Sequence, residues 1–131
     1  MTLVRRRKRF TLAMANRTLP LVRRIVADVV RTHGRACDLH KRLEVRQSRS
    51  VRDEIERQLN DVVELLQDYV DELNEIGCDL KDYRAGLVDF VSTYEGRDIY
   101  LCWKLGEETI QYWHELEEGF SGRRPVELLD E

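Results

Sequence analysis

The chain has 131 residues, of which 36% are charged, yet its formal net charge is only −3. This length fits one domain with a modest core, and no apolar run approaches the roughly 18 residues of a membrane span. Residues 1–50 contain 14 cations and 3 acids, whereas residues 51–131 contain 8 and 22. We expect these basic and acidic halves to face each other, within one chain or across a dimer.

The cysteines and the basic start indicate a cytoplasmic chain. Cys37, Cys78 and Cys102 are odd in number and widely spaced, which is typical of reduced thiols rather than a disulfide framework. No clean apolar region follows the first cations, so a signal peptide is not predicted. We expect residues 1–9 to form a disordered basic tail and residues 127–131 an acidic tail. The acidic second half argues against nucleic acid as a partner.

Two apolar stripes with heptad spacing predict a long antiparallel helical hairpin over residues 20–76. Thr11 is expected to cap a separate short helix over residues 12–18, and Pro20 to begin the first long helix. Facing residue numbers sum to 98 or 99, so the chain should reverse near residue 49, with Ser50 as the second cap. The stripes are Val22, Val26, Val29, His33, Ala36, His40 and Leu43, then Ile55, Leu59, Val62, Leu66, Tyr69, Leu73 and Ile76.

The apolar faces of this coiled-coil-like hairpin are wider than two helices can cover. We therefore expect a homo-oligomer that assembles through the hairpin. His33, Cys37 and His40 share one helical face and have the side chains of metal ligands. The positions that face this trio on the second helix are leucines, which offer no further ligand. We therefore interpret the trio as polar and small side chains in the contact between the two helices rather than as a metal site.

After Gly77, a predicted helix C-cap, apolar residues recur at every second position. The pattern predicts four antiparallel strands over residues 77–116, at 78–82, 87–91, 98–104 and 109–115. Glu95-Gly96 has the composition of a two-residue hairpin turn. The fold class is therefore α+β: a long antiparallel helical hairpin followed by a small four-stranded antiparallel meander. The face expected to pack on the helices carries Val88, Phe90, Leu101 and Trp103.

The turn at Glu95-Gly96 places Asp89 opposite Cys102 on the other face of the sheet. The last hairpin permits two registers. In an even register Tyr112 and His114 join the face of Asp89 and Cys102. In an odd register Trp113 and Glu115 do so instead.

This end of the chain concentrates nitrogen, oxygen and sulfur donors of the kinds that zinc and iron accept. A divalent transition metal is thus the predicted cofactor, and a small-ligand pocket is expected beside it. The alternative is a non-catalytic, oligomeric interaction module, and catalysis stays open because no GxSxG, P-loop or GxGxxG occurs. Candidate metal ligands are Asp89, Cys102, Glu107, His114 and Glu115, and candidate pocket residues are Trp103, Tyr112, Trp113 and Arg123.

A series of short motifs along residues 10–126 resembles the bacterial family called domain of unknown function 2203. This resemblance implies a small cytosolic protein and brings no established activity. Two positions depart from the family pattern, at Ala13-Met14 and at Val91. The motifs are Phe10-Thr11-Leu12, Leu19-Pro20-Leu21-Val22, Gly77-Cys78, Leu80-Lys81-Asp82, Gly86-Leu87-Val88-Asp89-Phe90, Leu101-Cys102-Trp103, Leu105-Gly106-Glu107, Trp113-His114-Glu115 and Gly119-Phe120 with Gly122, Arg123 and Pro125.

Overall fold

The computed structural model describes residues 8–129, in which two long helices precede one antiparallel sheet. This confirms the predicted α+β fold with a helical hairpin. Residues 1–7 and 130–131, which are most of the predicted basic tail and the last two residues of the predicted acidic tail, lie outside the described residues. The helices are α1 (Leu12–Arg42) and α2 (Arg49–Ile76), and the strands, in sheet order, are β1 (Cys78–Asp82), β2 (Leu87–Tyr94), β3 (Arg97–Lys104), β4 (Tyr112–Glu115) and β5 (Arg124–Pro125).

α1 is one continuous helix, so the prediction of a separate short helix before Pro20 is wrong. Thr11 does cap it, because its hydroxyl oxygen accepts from the Met14 N–H at 3.1 Å. Ala15 and Leu19 are buried ahead of the proline and lie on the same stripe as the core residues that follow it. Burial of that stripe outweighs the one helical hydrogen bond that proline removes.

The helices reverse direction slightly earlier than predicted. Ser48, rather than Ser50, caps α2 by accepting from the Val51 N–H at 3.2 Å. In α1, Leu39 is buried and His40 is exposed. The buried stripe therefore shifts gradually around the helix, because a helix of 3.6 residues per turn does not match an exact seven-residue repeat. The drift separates His40 from Cys37 and His33, which are half-buried.

The main core lies between α1, the end of α2 and the inner face of the sheet. Phe90, Leu101 and Trp103 are fully buried there, as the strand alternation predicts. Beyond the sheet the hairpin continues with only a small core of its own, formed by Leu39, Ile55 and Val62. Neither helix carries an apolar stretch long enough to cross a membrane.

The sheet register follows from two turns. Glu95 and Gly96 both have positive φ, 52° and 76°, as a primed hairpin turn requires, and Asp89 lies opposite Cys102 as predicted. In the last hairpin the structure selects the even register, with Tyr100 opposite His114. β4 begins three residues later than predicted, and β5, only two residues long, is too short to show a sequence period.

Candidate metal centre

Three potential metal ligands meet on the outer face of the sheet, the face turned away from the helices. Asp89 lies on β2, Cys102 on β3 and His114 on β4. One donor atom from each lies within 4.8 Å of the other two, and all three residues are buried. The even register produces this cluster, because it turns His114 to the side of the sheet that Asp89 and Cys102 occupy.

The imidazole of His114 has a defined orientation. Its Nδ1 lies 2.8 Å from the carbonyl oxygen of Glu115, and since a carbonyl only accepts, Nδ1 carries the hydrogen. Its Nε2 lies 3.2 Å from each carboxylate oxygen of Asp89. Metal-bound histidines commonly donate their second nitrogen to a backbone carbonyl in this way. Nε2 is therefore the nitrogen positioned to coordinate an ion.

The electrostatics of the metal-free cluster favour a charged histidine. Burial by itself lowers the pKa of His114, but hydrogen bonds to Asp89, to Cys102 and to the Glu115 carbonyl outweigh it. Together with the charge of Asp89 they raise the pKa to about 10. At neutral pH an imidazolium therefore lies against a carboxylate, with side chains only 3% and 4% exposed.

An aromatic side chain packs against the histidine of the cluster. The Tyr100 ring lies 5.4 Å from the His114 ring. On its other flank Tyr100 meets the ammonium of Lys81, 4.9 Å from the ring centroid.

Two of the predicted metal ligands lie apart from this cluster. Glu107 accepts hydrogen bonds from Arg123 at 2.7 Å and from the Lys104 N–H at 2.9 Å. Glu115 forms a two-pronged ion pair with Arg97, at 3.0 and 2.7 Å, and this arginine lowers the pKa of Glu115. Glu115 contributes to the centre through its main-chain carbonyl alone.

The predicted pocket residues divide between the two faces of the sheet. Trp103 and Trp113 belong to the helix-facing core, and the Trp103 indole donates to the Glu107 carbonyl at 2.8 Å. Tyr112 shares the face of the centre, and the Arg123 guanidinium lies 4.1 Å from its ring centroid.

Arg123 also covers the strand that carries Cys102. Its guanidinium lies 4.6 Å from the Phe120 ring centroid and 3.4 Å from the Cys102 carbonyl oxygen. It thus holds the segment after β4 over β3. Sequence reasoning assigned Arg123 to a ligand pocket and missed this covering role, since β5 leaves no readable pattern. Strand alternation also predicts Tyr100 on one face with Asp89 and Cys102, although Tyr100 was not among the candidate site residues.

Comparison with known families places the chain. The model of a family described as "Uncharacterized conserved protein (DUF2203)" matches residues 8–126, nearly the whole chain. No curated protein and no solved structure matches it.

Proposed function

This chain belongs to the domain of unknown function 2203 family, and we propose that it is a metal-binding protein whose ligands are Asp89, Cys102 and His114. The observation that supports this proposal is the convergence of three different donor types, from three strands, within 4.8 Å in a buried position. Mixed nitrogen, oxygen and sulfur donors suit Zn²⁺ or Fe²⁺ and disfavour Mg²⁺ and Ca²⁺, which prefer oxygen alone.

A divalent ion would leave the buried centre electrically neutral. The carboxylate of Asp89 and the thiolate of Cys102 together supply two negative charges, and neutral His114 supplies Nε2. Charge balance matters because an uncompensated charge in a buried position is costly. The metal-free state reaches a balance differently, since the proton that His114 holds at neutral pH offsets the charge of Asp89.

In this proposal the ion joins β2, β3 and β4. Both oxygens of Asp89 face Nε2 at 3.2 Å, so a two-pronged carboxylate would complete four donor atoms, the number typical of a closed zinc site. A closed site contributes its binding energy to folding. Metal should therefore raise the free energy of unfolding of the whole sheet.

Elemental analysis of untagged protein, purified without chelator, tests the proposal. We expect about one zinc or iron ion per chain, and loss of that ion in Cys102→Ser and in His114→Ala. Cys37→Ser is the matched control, because that thiol is half-buried on α1, outside the cluster. Circular dichroism of each variant separates a lost ligand from a lost fold.

Cobalt provides an independent readout. Co²⁺ added to metal-free protein should give the intense near-ultraviolet absorption of a thiolate–cobalt bond, and Cys102→Ser should abolish it. A wild-type chain that is folded, purifies without metal and takes up none of Zn²⁺, Fe²⁺ or Co²⁺ would show the proposal to be wrong.

A further inference from the structure

Each long helix carries a second heptad row on its solvent side, and the two rows have opposite charge. In α1 the row recurs at spacings of 4 and 3 residues from 17 to 42. Asp28 and Asp38 are its two acids, and the rest we call the basic row. Its members are Arg17, Leu21, Arg24, Arg31, Arg35 and Arg42.

The matching row of α2 has the same spacing and runs from 54 to 75. The row contains no cation, and Gln58 is its one polar uncharged member. We call the remaining residues the acidic row. Helical geometry places each row along one side of its helix, roughly 100° per residue. The acidic row consists of Glu54, Asp61, Leu65, Asp68, Glu72 and Glu75.

Both rows are open to solvent in a single chain. All the named members are exposed, and each row includes a leucine, Leu21 at 51% and Leu65 at 44% exposure. Within residues 8–129 the ion pairs of the helices, Arg31 with Asp28 and Arg57 with Glu54, stay inside one helix. The opposite charges of α1 and α2 therefore find no partner across the hairpin in this part of the chain.

We propose that the partner of this surface is a second copy of the chain, with the basic row of each copy lying along the acidic row of the other. Two such contacts, related by a two-fold axis, close a four-helix dimer. Complementary charge supports this occupant, because like rows would repel and the unlike rows have the same heptad spacing. The dimer would also support the part of the hairpin beyond the sheet, where the core is only Leu39, Ile55 and Val62.

Ion pairs at a surface are screened by salt, so the association should depend on ionic strength. Sedimentation velocity of the full chain at micromolar concentration should show a dimer in low salt and a shift toward monomer in high salt. A chain that stays monomeric at low salt throughout the micromolar range would overturn the proposal. A monomer that instead retards duplex DNA, and loses that retardation in Arg24→Glu/Arg35→Glu, would overturn it in favour of nucleic acid.

Charge reversal tests the pairing of the rows. Arg24→Glu/Arg35→Glu leaves both rows with a net negative charge, and Asp61→Lys/Asp68→Lys/Glu72→Lys leaves both with a net positive charge. Because these residues are exposed, neither variant should change the circular dichroism of the monomer. Each alone should be monomeric in low salt.

An equimolar mixture of the two variants should restore dimers, since each altered row then meets a row of opposite sign. The matched control is Glu56→Lys/Glu64→Lys/Asp71→Lys, which makes the same charge change on exposed positions of α2 outside the acidic row and should leave the wild-type dimer intact. Variants that dimerise alone, or a mixture that stays monomeric, would overturn this pairing.

Discussion

The Nε2 nitrogen of His114 lies 3.2 Å from both carboxylate oxygens of Asp89, with both side chains almost fully buried. The two residues are 25 positions apart in the chain and lie on strands that do not pair with each other. Without metal they form a buried ion pair across β3, the strand that carries Cys102. Their relationship determines how the centre should respond to mutation, to pH and to metal.

Removing one member of this pair should destabilise the metal-free chain. We expect Asp89→Asn to lower the free energy of unfolding by about 3 kcal/mol near pH 6, because it leaves a buried charge without its partner. Urea denaturation in the presence of chelator measures this loss. In Asp89→Asn/His114→Gln the two losses should be clearly less than additive, and strict additivity would mean that the residues do not interact.

The stability of the metal-free chain should fall as pH rises from about 6.5 to about 10. The pKa of His114 is raised from 6.5 to about 10 in the folded state, so over that window the folded chain holds a proton that the unfolded chain has released. The groups facing the imidazole are Asp89, Cys102 and the ring of Tyr100. The urea concentration at the midpoint of unfolding should decline across this pH range in the wild type and should change less in His114→Gln.

Bound metal should reverse the loss of stability that the metal-free chain shows as pH rises. Coordination requires a neutral imidazole and a thiolate, so binding at neutral pH should release about two protons per ion and become tighter as pH rises. Titration calorimetry in buffers of different ionisation enthalpy counts these protons. Zinc binding that is independent of pH between about 6 and 9 would contradict the assigned ligands.

Arg123 should slow the release of the ion. Its guanidinium lies between Tyr112 and Phe120 and reaches the Cys102 carbonyl, so it closes the structure beside one ligand. We expect Arg123→Ala to accelerate metal loss to a chelator about tenfold, the size typical of changes around metal ligands. Arg124→Ala is the matched control, because that guanidinium lies over Trp113 of the helix-facing core. Equal acceleration in both variants would argue against this role.

Two glycines with nearly the same φ should respond differently to substitution by alanine. Gly86 and Gly96 have φ of 77° and 76°, so each substitution carries a similar strain of about 1–2 kcal/mol. A Cβ at Gly86 would also lie 2.8 Å from Val26 Cγ1 and 2.9 Å from Leu105 Cβ, whereas nothing lies within 4 Å at Gly96. Thermal unfolding should show that Gly86→Ala lowers the free energy of unfolding by about 2 kcal/mol more than Gly96→Ala does.

Gly34 offers a substitution in the opposite direction. It lies inside α1, is exposed, and has nothing within 4 Å of the position that a Cβ would occupy. We expect Gly34→Ala to raise the free energy of unfolding by about 1 kcal/mol, because alanine loses less backbone entropy in a helix. A destabilised variant would indicate that this side of α1 closely contacts another molecule.

Local patterns along the chain were enough to predict most of the architecture. Heptad stripes predicted the hairpin, Gly77 ended α2, and Glu95-Gly96 fixed the pairing of Asp89 with Cys102. These features depend on neighbours a few residues apart, which is why sequence spacing reveals them. The continuity of α1 through Pro20 did not follow, because it depends on burial against a sheet encoded much later in the chain.

The convergence of Asp89, Cys102 and His114 was decided by tertiary structure. Sequence alone supplied five candidate ligands and left two registers open for the last hairpin. The hydrogen bond from the Ile110 N–H to Asn16 of α1, at 2.8 Å, fixes the loop before β4, and the even register then turns His114 toward Asp89 and Cys102. One residue of slippage would have placed His114 on the opposite face. The sequence therefore identifies residues with suitable donor atoms, whereas their proximity depends on a contact between α1 and the loop before β4.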